Sequence, residues 1–241
     1  MPLVTVGRTG DTTRITLSRP EKANALDAEM VEALLDAVSA AATDGTRFLI
    51  LDADGRHFCA GFDLSDLDSV SEGDLTLRFV RIETLLQTLY HLPFPSLAFA
   101  KGRAMGAGAD LFCACSRRIA APETRFRMPG LAFGIVLGTR RLAARIGDEA
   151  ARRIQNETRT FDAAEAVDLG FATETAEEDD WAARIAEAEN TAATLSPEAT
   201  EALFAATARD SRAQDMADLA ASASRPGLKA RILAYRDGLA R

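Results

Sequence analysis

Two glycine-rich segments are the part of this sequence best suited to chemistry. The first runs over residues 58–64 (FCAGFDL) and the second over residues 102–110 (GRAMGAGAD). Each places small residues where a strand-like run passes into a helix-like run, and the first turn of a helix leaves backbone N–H groups without internal partners. Two such groups aimed at one point form an oxyanion hole, which stabilises negative charge on a carbonyl oxygen. The two segments therefore predict a carbonyl substrate held by the backbone.

The sequence lacks the residues or spacings of other common catalytic motifs. A dinucleotide fingerprint built on Gly106 and Gly108 would need a third glycine at position 111, where the chain has Leu111. The sequence has no Walker A lysine after a glycine run, no Gly-x-Ser-x-Gly elbow and no His-Glu-x-x-His. Its two histidines, His57 and His91, fit surface or loop positions better than catalytic ones.

Composition limits the class of protein and its partners. The 241 residues, 47% of them apolar, suffice for one large domain or two small ones with a substantial core. The 28 basic and 36 acidic side chains leave a net charge of −8. This charge argues against a general binder of nucleic acid or of an anionic membrane surface.

The cysteines and the apolar runs indicate the compartment. Cys59, Cys113 and Cys115 form neither a disulfide framework nor a metal-ligand spacing, so we expect core thiols and no bound metal. The first residues show no secretory pattern, and the most apolar run, residues 92–100, is short and contains two prolines. We therefore expect a cytoplasmic protein without a membrane-spanning segment.

Alternating strand and helix patterns must position the two glycine-rich segments. Strands are predicted at residues 3–6, 13–17, 48–51, 96–100, 118–121 and 171–173, the first two as a hairpin. Helices are predicted at residues 27–42, 75–89, 107–115 and 162–170, and from Ser196-Pro197-Glu198 onward. These patterns predict an α/β core over residues 1–178 and a helical C-terminal region over residues 179–241.

Four landmarks, in this order, resemble those of the crotonase family, also called the enoyl-CoA hydratase/isomerase family. They are residues 18–26 (SRPEKANAL), 58–64, 101–110 and 160–170 (TFDAAEAVDLG). The resemblance implies a spiral of ββα units with two roughly perpendicular sheets, and C-terminal helices that build trimers or paired trimers. It also implies an acyl-CoA thioester as the substrate, with CoA as part of that substrate and no separate cofactor.

The resemblance assigns particular residues to the substrate. By motif position, the oxyanion donors are the backbone N–H groups of Phe62 and Ala107, and Gly106 belongs to the same substrate-binding segment. The position of Ala107 is usually glycine, but a backbone donor tolerates alanine if φ is negative. The adenine of CoA is expected near Ala60 and Leu64.

The phosphates of CoA are expected near three cations by the same resemblance. Arg19 and Lys22 lie in the first landmark, and Arg236 lies close to the C-terminus with a looser match. Ordinary solvated charge is the alternative interpretation of these side chains.

The acid/base residues depart from the family pattern. Where hydratases of the family use two glutamates, this chain has Asp110 at the first position and Gly130 at the second. The loop over residues 134–141, which shapes the acyl pocket in the family, is about three residues shorter than usual. Arg127, close to the second position, is a candidate contact for an anionic acyl group. Efficient hydration needs both a positioned acid and a positioned base, so this pattern argues against it.

Three functions stay open from the sequence. The first is hydratase/isomerase chemistry on an acyl-CoA, with Asp110 as its only evident acid/base group. The second is another reaction, such as isomerisation, thioester cleavage or C–C cleavage, with groups from residues 127–141. The third is a non-catalytic acyl-CoA-binding protein in which Asp110 is a structural side chain. In each case we expect a homotrimer or homohexamer with no nucleic-acid or membrane partner.

Overall fold

The computed structural model describes residues 2–239, which form two sheets and ten α-helices. The strands are β1 (Val4–Thr9), β2 (Thr12–Leu17), β3 (Phe48–Ala53), β4 (Ser96–Ala100), β5 (Arg103–Met105), β6 (Arg117–Ala120), β7 (Arg125–Arg127), β8 (Phe161–Asp162) and β9 (Glu174–Thr175). The helices are α1 (Ala28–Ala41), α2 (Glu72–Tyr90), α3 (Ala107–Ala114), α4 (Thr139–Ile146), α5 (Asp148–Glu157), α6 (Ala163–Asp168), α7 (Trp181–Ala192), α8 (Pro197–Thr207), α9 (Arg212–Ala223) and α10 (Leu228–Leu239).

The larger sheet has six strands in the order β1-β2-β3-β4-β6-β9. β1 and β2 form the predicted antiparallel hairpin, and every later neighbour pairs in parallel. β3 and β4 are buried along their whole length, as expected for parallel strands covered on both faces. Their near-continuous apolar runs are what allowed them to be predicted.

The helices around this sheet begin at side-chain caps. Asp27 accepts a hydrogen bond from the Met30 amide at 2.8 Å and starts α1, as predicted. α2 begins three residues before its predicted start, at a capping box between Ser71 and Asp74. Its first turn is polar, so the hydrophobic period could not reveal it.

The smaller sheet pairs β5 with β7 and β7 with β8. Its strands have only two or three residues, too few for a sequence pattern. Phe126 on β7 is buried within an aromatic cluster, with ring centroids 5.1–5.5 Å from those of Phe112, Phe161 and Phe171. This cluster joins α3 to the small sheet.

Two local predictions are wrong. The strand predicted at residues 171–173 lies instead at Glu174–Thr175, because the Ala172 amide still donates to Ala166 and closes α6. The predicted loop 134–141 ends early, because Gly138 adopts a left-handed φ of +65° and residues 139–141 form the first turn of α4.

The chain after residue 177 is mainly helical, as expected. Ser196 caps α8 through the Ala199 amide. α9 and α10 pack against α2, with Leu219 and Ile232 buried beside Phe79. Within the described range, no helix combines the length and apolarity that crossing a bilayer requires.

Candidate active site

The Phe62 amide is left free by a single β-bridge. Phe62 pairs in parallel with Leu26: the Leu26 amide donates to Gly61 at 2.7 Å, and the Asp63 amide donates to Leu26 at 3.1 Å. In a parallel bridge these flanking groups carry the pairing, so the N–H of Phe62 itself points away from Leu26. Within residues 2–239 it donates to no protein acceptor.

The Ala107 amide is left free by the start of a helix. Ala107 is the first residue of α3, and Gly106 precedes it with φ +52° and ψ −124°. The Gly106 amide donates to the Arg127 carbonyl at 2.7 Å, which fixes the chain as it enters the helix. The N–H of Ala107 has no acceptor within residues 2–239, and it lies at the positive end of the helix dipole.

A glycine brings the two amides together. Gly61 has φ +84°, and a β-carbon there would overlap the Met105 carbonyl and lie 3.3 Å from the Ala107 nitrogen. Since covalent geometry holds the Phe62 nitrogen about 3 Å from that β-position, the two nitrogens are within roughly 7 Å of each other. Phe62 and Ala107 also line one cavity of about 600 Å³. The structure thus brings both predicted donors to one cavity.

Cys59 fixes the two segments against each other. Its carbonyl accepts from the Met105 amide at 2.9 Å, and a β-carbon on Gly108 would overlap that carbonyl. Burial raises the pKa of the Cys59 thiol to about 12, and the thiol lies 3.0 Å from the Asn24 carbonyl. Cys59 is therefore an inert packing residue, and Cys113 and Cys115 are buried as well.

Asp110 lies one turn after Ala107 on the same face of α3. It is 5% exposed and lines the cavity, and its Oδ1 atom is buried without a hydrogen-bond partner among the described residues. Burial raises the pKa of this carboxyl to about 8; Arg141 opposes that rise and Glu83 adds to it. At neutral pH most Asp110 side chains are therefore protonated.

Gly138 packs directly against the Asp110 carboxyl. A β-carbon on Gly138 would overlap Oδ1 of Asp110, and its φ of +65° also favours glycine. The segment that the sequence marks as unusually short therefore packs against the acid as well as shaping the cavity wall.

A buried ion network behind Asp110 was not predicted. Arg141 donates to both carboxylate oxygens of Glu83, at 2.9 and 2.5 Å, and approaches Asp215 at 3.4 Å. These side chains come from α4, α2 and α9, and all are at most 8% exposed. No motif or local spacing signals such a network, because its members are far apart in the chain.

One wall of the cavity is apolar. It is lined by Met128, Pro129, Gly130, Leu131, Phe133, Ile135 and Leu137. Gly130 stands where the second carboxylate was expected, and Asp110 is the only carboxyl that lines the cavity within residues 2–239. Tyr235 from α10 also lines the cavity, and its ring is tilted against that of Phe133, with ring centroids 5.1 Å apart.

The residues expected to contact CoA are spread more widely. Ala60 and Leu64 line the cavity, and the Ala60 amide donates to Ala23 at 2.9 Å. This bond holds Ala23, the neighbour of the exposed Lys22, against a residue of the lining, although Lys22 itself does not line the cavity. Gly106 and Arg127 both belong to the lining.

The other two expected cations are engaged by carboxylates. Arg19 pairs with Asp63 at 2.6 Å and with Asp27 at 3.1 Å. Arg236 pairs with Asp68 at 3.3 Å on the surface. Neither arginine lines the cavity, and their roles toward CoA stay predictions.

The assembled site has a definite chemical character. Two open N–H donors can stabilise charge on one oxygen, and a neutral acid next to them can exchange a proton. The apolar wall lowers the local dielectric and strengthens both effects.

Comparison with known proteins places this site in a family. The sequence model of the enoyl-CoA hydratase/isomerase family matches residues 8–225. A solved structure from Bordetella parapertussis, provisionally assigned as an enoyl-CoA hydratase/isomerase, superposes with a TM-score of 0.96 at 46% identity over 100% of both chains. The "Probable enoyl-CoA hydratase" of Mycobacterium bovis is 32% identical over 71% of each chain. The ethylmalonyl-CoA decarboxylase of Mus musculus is 34% identical over 66% of this chain and 51% of its own. The chain belongs to the enoyl-CoA hydratase/isomerase, or crotonase, family of enzymes.

Proposed function

We propose that the enzyme acts on an acyl-CoA thioester, forms its enolate in the oxyanion hole and moves a single proton through Asp110. The observation that carries this proposal is that Asp110 is the only carboxyl, within residues 2–239, lining the cavity shared by the free amides of Phe62 and Ala107. An isomerisation that moves a double bond along the acyl chain is the simplest reaction of this kind.

The oxyanion hole supplies most of the stabilisation. Removing a proton from the α-carbon of a thioester places negative charge on the carbonyl oxygen. The Phe62 and Ala107 amides are held in place before the charge forms, so little reorganisation is needed when it appears. Removal of one such donor typically costs about 2.7–4 kcal/mol of transition-state stabilisation.

Asp110 suits the transfer of one proton in both directions. With a pKa of about 8, it is a stronger base when ionised than an ordinary aspartate. At pH 7 the ionised form is the minor one, and it is the form that removes the proton. After removing a proton from one carbon, the neutral acid can return it to another carbon of the enolate.

Hydration fits the cavity less well. Adding water across a double bond needs one group to activate the water and another to deliver a proton to carbon. Gly130 carries no side chain for the second role, and the wall around it is apolar. We therefore place isomerisation before hydration.

Cleavage of a C–C bond is a second candidate. Loss of CO₂ from a malonyl-type thioester leaves the same enolate, and that enolate then needs only one proton from a neutral acid. Asp110 is such an acid at neutral pH. The similarity to a protein described as ethylmalonyl-CoA decarboxylase supports including this reaction.

Isotope exchange at the α-carbon of hexanoyl-CoA in D₂O tests the proposal without assuming a product. We expect the enzyme to catalyse this exchange and Asp110→Asn to lower its rate by about 10²–10⁴-fold. Asp52→Asn is the matched control, because Asp52 is equally buried but binds Arg14 and Thr16 on the large sheet. An Asp110→Asn variant that exchanges at the parent's rate would overturn the proposal.

A product screen then separates the two candidates. 3-Hexenoyl-CoA and ethylmalonyl-CoA are incubated with the enzyme and the thioesters are identified by mass spectrometry and NMR. A shifted double bond supports isomerisation, whereas loss of CO₂ from the second thioester supports cleavage.

A further inference from the structure

We propose that Arg103, Arg125 and Arg127 form an anion-binding face that recognises a carboxylate at the far end of the acyl group. This inference rests on the proposed function and deepens it, because it names the substrate class as thioesters of dicarboxylic acids. The face lies in the same cavity as the oxyanion amides.

The register of the small sheet gathers these side chains. Arg103 on β5 is directly opposite Arg125 on β7, and Met105 is opposite Arg127. The intervening Ala104 and Phe126 are fully buried, so alternation directs the three arginines to the other face, toward the cavity. All three arginines thus belong to the lining of this one cavity.

No carboxylate in the described part of the chain neutralises this face. None of the three arginines lies within ion-pair distance of an acidic side chain among residues 2–239. Asp162 is opposite Arg125 on β8, but its carboxylate accepts from the Glu165 amide and caps α6. In a protein with a net charge of −8, this local concentration of positive charge favours an anionic ligand group.

The hydrogen bonds that hold the arginines leave donors free. Arg127 uses Nε to donate to the Thr158 carbonyl at 2.6 Å, which leaves its terminal nitrogens free for a ligand. Arg125 donates through one terminal nitrogen to the backbone carbonyls of Glu123 and Thr124. A guanidinium fixed in this way can form a paired hydrogen bond with a carboxylate.

The position of the face sets the length of the acyl group. The Arg127 carbonyl accepts from Gly106, the residue before the oxyanion donor Ala107. Arg103 and Arg125 lie two residues farther out along their strands, which is roughly 7 Å at the strand rise. A thioester seated on the amides therefore reaches the arginines with a carboxylate several carbons from the carbonyl.

Two six-carbon thioesters test the proposal. Adipyl-CoA carries a terminal carboxylate and hexanoyl-CoA does not, while their CoA phosphates are identical. We expect calorimetry to give adipyl-CoA a Kd roughly ten-fold lower than hexanoyl-CoA, as for one charged, paired hydrogen bond. Arg127→Gln and the double variant Arg103→Gln/Arg125→Gln should each bring the ratio of the two Kd values closer to one. The double variant leaves the Arg127–Thr158 contact intact.

Arg152→Gln is the matched control, since Arg152 is an exposed arginine that does not line the cavity. It should preserve the parent's ratio. If the cavity variants weaken both thioesters equally, the arginines bind CoA phosphates and the proposal is wrong. An unchanged ratio in the cavity variants overturns it too. α-Proton exchange of hexanoyl-CoA in the same samples separates these failures from a failure of the proposed function, which would abolish exchange altogether.

Discussion

The two halves of the cavity differ in the groups that form them: main-chain amides in one half and side chains in the other. One half consists of backbone amides at Phe62 and Ala107, held by a β-bridge, a helix start and the close approach of Gly61. The other half depends on side chains and holds a single carboxyl, Asp110, while Gly130 contributes no side chain. Both amides that were predicted as donors face the cavity, whereas only one of the two carboxylates of the family pattern has a counterpart, Asp110.

Removing one amide without adding polarity would test the backbone half. Proline is tolerated at the first position of a helix and lacks the N–H, so Ala107→Pro removes this donor and puts the ring Cδ atom where the amide hydrogen was. We expect kcat/KM for isomerisation or α-proton exchange to fall by about 10²–10³-fold.

The control for this variant is Ala28→Pro, at the equivalent first position of α1 and exposed. It should keep the parent's rate. A folded Ala107→Pro enzyme with unimpaired kcat/KM would show that this amide does not stabilise the transition state.

Restoring the missing carboxylate would test the side-chain half. The φ of Gly130 is not left-handed, and a β-carbon there would lie 3.1 Å from the Ile135 carbonyl, so a side chain fits after a small shift. We expect Gly130→Glu to raise the rate of crotonyl-CoA hydration by about 10²-fold, because a second proton-transfer group becomes available. Gly130→Gln is the control of equal size, and equal hydration rates in the two variants would refute the interpretation.

Displacing the Asp110 side chain by a substitution at Gly138 should have a smaller effect on activity. Gly138→Ala should push the carboxyl away and reduce kcat about ten-fold, since catalysis depends closely on position. Gly10→Ala is the control, because Gly10 also has a positive φ, of +57°, and a β-carbon there meets no atom within 4 Å. If both variants lose the same activity, strain rather than contact with Asp110 is the cause.

The pH dependence of the free energy of unfolding measures the cost of burying the Asp110 carboxyl. The pKa of Asp110 is raised from 3.8 to about 8 in the folded state, so its neutral form favours folding at low pH. That contribution declines as the pH rises from about 4 to 8, by about 1.4 kcal/mol for each unit. Urea unfolding at pH 5 and at pH 8 should show that, as the pH rises, the free energy of unfolding falls in wild type relative to Asp110→Asn. A pH-independent difference would indicate an ordinary pKa.

The backbone half of the site could be predicted from sequence because its signals are local. Gly61 and Gly106 directly precede Phe62 and Ala107, whose amides they leave free. The strand-to-helix transitions can be recognised in the sequence from their runs of small residues. The same holds for the Asp27 and Ser196 caps, which mark α1 and α8 correctly.

The side-chain half and its support could be predicted only in part. Asp110 and Gly130 were identified through a family resemblance. The packing of Gly138 against the Asp110 carboxyl is a tertiary contact, which no local sequence pattern indicates. The Glu83–Arg141 pair joins residues 58 positions apart. The strands β5 and β7, which gather the three arginines, are too short to carry a period.

The carbonyl stretch of a bound thioester tests the central claim most directly. Hexanoyl-CoA labelled with ¹³C at its carbonyl would be followed by isotope-edited infrared spectroscopy on binding. If the Phe62 and Ala107 amides both donate to that oxygen, the stretch moves to lower frequency in wild type and in Asp110→Asn, and moves less in Ala107→Pro. A carbonyl band that binds without shifting would contradict the account.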